Sequence, residues 1–163
     1  MNREQPPSVV VLPRQVRLDR LVSVLPIAQA RQHGGVEIVV LALEIYTAGF
    51  VVTCQVQSHG AVPFIDEAPA LALMVTDDCG GPYTRQSSGA TGEGARNDWQ
   101  WRLAYRCTPA LDPHARELRL AIAHMTWTRP DARQQRFAPV RTVVGPWTFT
   151  VALPADATDG GAR

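Results

Sequence analysis

Two adjacent carboxylates, a thiol and a phenol stand together in residues 76–94, TDDCGGPYTRQSSGATGEG. Asp77 and Asp78 carry oxygens of the kind calcium takes, about six to eight at a time. An EF-hand loop would set its acids at alternate positions and close on a glutamate; here the acids are neighbours and the next is Glu93. In an extended chain neighbouring side chains point to opposite faces, so these carboxylates diverge. The stretch therefore reads as a turn, aspartate bonding its own backbone and glycine tolerating positive φ. Glycines 80, 81, 89, 92 and 94 do not form a phosphate loop. That signature needs a lysine after its second glycine and a helix behind it, and the chain has no lysine. They predict a loose hairpin loop between strands near 83–87 and 97–107.

The other reactive types are scattered. A reactive thiolate at Cys79 needs a cation or a helix N-terminus. Arg85 is the nearest cation in sequence, and no family signature joins Cys79 to His59, His114 or His124. The four histidines, His33, His59, His114 and His124, lack the paired spacing of zinc ligands. His33 and His114 fall in loops, while His124 continues the alternation of Leu118, Leu120 and Ile122 and is expected on the inward face. No catalytic residue, no metal and no cofactor is expected.

Residue types suited to binding are clearer. The segment TRPDARQQRFAPVR holds Arg129, Arg133, Arg136 and Arg141 against one acid, Asp131. Arginine forks match carboxylates and phosphates. Trp127 stands at a strand end beside this segment and is expected partly exposed, and Tyr83 adds an aromatic from the polar island. Trp99, Trp101 and Trp147 sit on inward faces and are expected to build the core, where a large aromatic buries about 150–250 Å².

The elements that position these groups follow a period of two. In WQWRLAYRC, Trp99, Trp101, Leu103, Tyr105 and Cys107 share one face, and Gln100, Arg102, Ala104 and Arg106 share the other. FVVTCQVQ, LRLAI and WTFTVAL alternate likewise, and VEIVVLALEIY has the evenly apolar run of a central strand. YTAGF joins residues 36–46 and 50–57 as a hairpin. Strands are expected near 20–29, 36–46, 50–57, 70–77, 83–87, 97–107, 116–127 and 147–153, with residues 128–146 a long connection. PALDPHAREL offers at most one helical turn. Many short strands separated by turns define an all-β protein, an immunoglobulin-like antiparallel β-sandwich of about eight strands. One domain is expected over residues 17–153, with tails at 1–16 and 154–163.

Composition agrees with a globular domain: 163 residues, 45% hydrophobic, 19% charged. A net charge of +1 gives no global field for nucleic acid or anionic lipid, so neither is an expected partner. All 16 basic residues are arginine, and the wealth of arginine, alanine and valine suggests a GC-rich bacterial genome. Prolines and charges stand where the apolar core of a secretion signal would be, and the longest apolar run is too short for a membrane helix, so a cytoplasmic location is expected. Three cysteines, Cys54, Cys79 and Cys107, suit reduced thiols better than a disulfide framework, the alternative being a Cys54–Cys107 bridge across two sheets.

The order of Asp77, Asp78, Gly80 and Tyr83, a glycine-rich insert, the tryptophan strand, PALDPHARELRLAI and GPWTFTVAL resembles a group of uncharacterised bacterial β-sandwich domains, common in actinobacteria. It is distantly similar to the sandwich domains of anti-sigma factors. The resemblance spans residues 35–153 and implies a fold and no catalytic residue. The expected role is non-enzymatic: binding of another protein, or of a second copy, through an exposed strand edge or end loops. The alternative is a small-molecule or carbohydrate-binding module built on Tyr83, Trp127 and the loop arginines.

Overall fold

The computed structural model describes residues 18–59, 68–95, 98–131 and 136–155. Eight strands follow one another: β1 (Leu21–His33), β2 (Val36–Tyr46), β3 (Gly49–His59), β4 (Ala70–Asp77), β5 (Thr84–Ala95), β6 (Asp98–Thr108), β7 (Glu117–Asp131) and β8 (Arg136–Ala152). They form two antiparallel sheets, in the orders β1-β2-β3-β6-β5 and β4-β7-β8. Without β1, the order β2-β3-β6-β5 against β4-β7-β8 is that of the constant-type immunoglobulin sandwich. β1 is an added strand, paired outside β2.

Alternation builds the core. Val36, Ile38, Val40, Leu43 and Ile45 of β2, Phe50, Val52, Cys54 and Val56 of β3, and Trp99, Trp101, Leu103, Tyr105 and Cys107 of β6 are buried. Leu71, Leu73 and Val75 of β4, Leu118, Leu120 and Ile122 of β7, and Trp147, Phe149 and Val151 of β8 face them. Tyr46 pairs with Gly49 across the tight hairpin of YTAGF. A side chain at Gly49 would strike the Cys107 carbonyl, so this corner closes only around glycine.

The structure corrects several expectations. The glycine-rich stretch is no loop: β5 runs to Ala95 and pairs with β6 along its length, with one irregularity between Ser87 and Gly89. The long connection at 128–146 is largely the two arms of the β7–β8 hairpin. The segment before β7 makes a turn, not a helical one, with the Ala115 amide donating to the Asp112 carbonyl at 3.0 Å. Against β4, β7 carries one extra residue between Ile122 and Met125, which pair with Leu73 and Leu71. One extra residue exchanges the two faces of a strand. Beyond it Met125 and Trp127 turn inward and His124 is exposed. Cys54 and Cys107 do not face each other across the layers. They sit on neighbouring strands of one sheet, opposite Leu103 and Phe50 respectively, and both are free.

Candidate functional site: the sheet edges

The polar island is a structural clamp. Asp77 ends β4 and is only 5% exposed. Its carboxylate accepts the Gly81 amide at 2.8 Å and the Tyr83 hydroxyl at 2.5 Å. The Tyr83 oxygen in turn accepts the Asp112 amide at 3.4 Å, and its ring meets Phe50 edge-on at 5.0 Å. Burial first, then the bond to Asp77, pushes the Tyr83 phenol well above its ordinary pKa. Asp78 points the other way, accepting the Arg116 and Glu117 amides at 2.9 and 3.2 Å; the Arg116 bond leads in holding its carboxyl below the usual range. The two acids thus tie the β4–β5 turn to the β6–β7 connection. Cys79 is exposed, and desolvation followed by the carboxylates of Asp112, Asp78 and Asp77 pushes its thiol up, away from the thiolate. Among the described residues no group of three histidine, cysteine or acidic side chains is placed to hold a metal.

Of the expected binding set, the two aromatics lie at opposite ends of β3. Tyr83 packs on Phe50 at the start of β3, whereas Trp127 packs on Trp99, whose register partner Ser58 ends β3. Trp127 is completely buried rather than partly exposed, because the residue that β7 carries in excess of β4 turned it inward. Its ring meets Trp99 edge-on at 5.0 Å, and the Arg141 guanidinium lies 5.4 Å from its centroid. The side chains of Arg129, Arg133 and Arg136 lie outside the described residues. The indole nitrogens of Trp99 and Trp127 and the Ser58 hydroxyl are buried without hydrogen-bond partners. All three belong to this closed end of the core, which offers no stacking platform.

The edges offer more. Two sheets have four edge strands, here β1, β5, β4 and β8. An edge carries unpaired backbone groups that recruit another strand unless they are blunted. β1 carries Pro26, two register irregularities and Ala28 at φ 52°. It also leans on β8: the Gln29 amide donates to the Thr150 carbonyl at 2.9 Å, and Arg31 lies over the Phe149 ring. β8 is further interrupted by Pro139 and Pro146. β4 is short, and side chains occupy its backbone. The Leu71 amide donates to the Tyr105 hydroxyl, Arg85 Nε donates to the Leu73 carbonyl, and the Tyr83 amide reaches the Val75 carbonyl.

β5 keeps one of these devices, the irregularity between Ser87 and Gly89, and none beyond it. A sheet of five strands over a sheet of three leaves it overhanging, and every side chain described in it is exposed. It contains no proline, and its charges are Arg85 and Glu93. Among the described residues no hydrogen bond from another element reaches the outward backbone of residues 86–95. A Cβ at Gly92 would fall 2.3 Å from Cδ2 of Trp101, so glycine here lets the indole close the end of the core. On the outer face Thr91 stands opposite Arg102, with Gln55 on its far side. Thr91, Gly92, Gln100 and Arg102 line an open recess of about 280 Å³. The alternation of β6 had put Arg102 outside, but with its partner strand read as a loop nothing in the sequence pointed to an edge or a recess.

The fold has a counterpart among solved structures. The chain is similar to a conserved domain protein from Bacillus anthracis, with a TM-score of 0.56 and 12% identity over 81% of this chain and 49% of that one. The chain thus spans about half the length of that protein, and at this identity the likeness is one of fold. No family model and no curated protein matches the chain. Among the described residues no helix is long and apolar enough to cross a membrane.

Proposed function

We propose that this chain is a non-enzymatic sandwich module that binds another protein by adding a strand to the β5 edge. The observation that carries the proposal is the contrast between the edges: three are bent, proline-bearing or occupied by side chains, whereas β5 beyond its irregularity at Ser87–Gly89 presents a bare backbone. The thiol and the acids of the island hold no arrangement suited to turnover, which supports a binding role. The ligand-binding alternative loses its aromatic platform with the burial of Trp127 and the engagement of Tyr83.

Strand addition is tested with proline. Ala90→Pro and Thr91→Pro remove two successive amides, one of which points outward because amides alternate along a strand. Proteins retained by the wild-type chain and lost from the outward variant would support the edge. An unchanged set of partners would remove β5 from consideration.

A further inference from the structure

Resting on the edge reading just given, we infer that the occupant of β5 is an extended acidic segment of a partner protein, with Arg102 receiving one of its carboxylates through the recess. Strand addition supplies affinity through the backbone, while side chains that alternate onto each face supply selection. The chemistry of selection is therefore written on the outer face beside the edge. That face has three donor-bearing side chains around the recess: the Arg102 guanidinium, the Gln100 amide and the Thr91 hydroxyl. Among the described residues Arg102 makes no hydrogen bond or ion pair, whereas Arg85 of the same region is bound to the Leu73 carbonyl and Arg119 to Glu117.

Geometry permits the contact. Strands in a sheet lie about 4.8 Å apart, so an added strand would run about 10 Å from β6. On the outer face the β5 side chain directly opposite Arg102 is the small Thr91, over which a guanidinium can reach toward the edge. A carboxylate leaning inward from the added strand closes the remaining distance, and the planar fork suits it. The apolar groups on the outer face of the other sheet, Met74 and Val144, lie on the opposite layer and play no part.

The test uses the full chain and two peptides of ten residues alternating valine and threonine, one with a central glutamate and one with glutamine there. Binding is followed by the amide resonances of residues 84–95 and by titration calorimetry. The glutamate peptide is expected to bind more tightly by about fivefold, the size of a partly exposed ion pair. Arg102→Gln should abolish that preference and leave the glutamine peptide unchanged. Equal binding of both peptides would overturn the acidic selection while leaving the edge intact. Absence of binding by either, with β5 amides protected from exchange in the free protein, would overturn both, since the edge would then be covered by this chain itself or by a second copy.

Discussion

At the residue scale the polar island shows how reactive groups become structural ones. Asp77 is buried with an amide and a phenol for partners, so removing the phenol leaves one carboxylate oxygen without its donor. Tyr83→Phe should lower stability by about 1–3 kcal/mol, read as a lower urea midpoint with an unchanged slope. Asp78 gives a pH dependence. Its carboxyl is held below the ordinary value, chiefly by the Arg116 amide, so its contribution is present above the unfolded pKa, near 3.9, and is lost as pH falls through the folded one. Urea midpoints of the wild type and Asp78→Asn should therefore differ at neutral pH and converge below about pH 4. Thiol counting separates the cysteines. Cys79 is exposed while Cys54 and Cys107 are buried, so a disulfide-forming reagent should titrate one thiol per folded chain and three after denaturation. The Cys79 reaction should be slow, because its surroundings disfavour the thiolate.

At the scale of elements, single residues set the faces of whole strands. The extra residue after Ile122, by which β7 exceeds β4, decides that Trp127 seals the core and His124 meets water. A strict alternation from Leu118 would have placed them the other way round. In β5 the deciding residue is Gly92, over which the Trp101 ring lies. Gly92→Ala should displace that indole at a cost of about 1–3 kcal/mol. The same variant should shift the Trp101 indole resonance and loosen the β5–β6 ladder, and a spectrum identical to wild type would contradict the packing described.

At the scale of the molecule, unequal layers create the exposed strand. The closed side joins β1 to β8 through Gln29 and Arg31, and the other joins β4 to the larger sheet through Tyr105 and Arg85. β5 passes beyond that second seam and buries none of its described side chains, so its ladder with β6 has no apolar burial to support it. Local opening is cheapest where few buried contacts are broken. In native-state hydrogen exchange, the amides of β5 should exchange through local opening while those of β2 and β3 follow global unfolding. Protection of β5 equal to that of β3 would show its edge already occupied.

Much of this protein is determined locally. Alternation over Trp99–Cys107, the hairpin at YTAGF and the divergence of Asp77 from Asp78 follow from a period of two and from turn chemistry, which neighbouring residues suffice to express. The two-layered all-β class follows from the same pattern repeated. What only the tertiary structure decided depends on residues distant in sequence. A strand of glycines and hydroxyls carries no hydrophobic period, and β5 exists because β6 offers it a ladder. The parity of Trp127 hangs on an insertion that propensity does not mark. Which edge stays bare depends on where Gln29, Tyr105 and Arg85 reach across the layers, contacts spanning 121, 34 and 12 positions of chain.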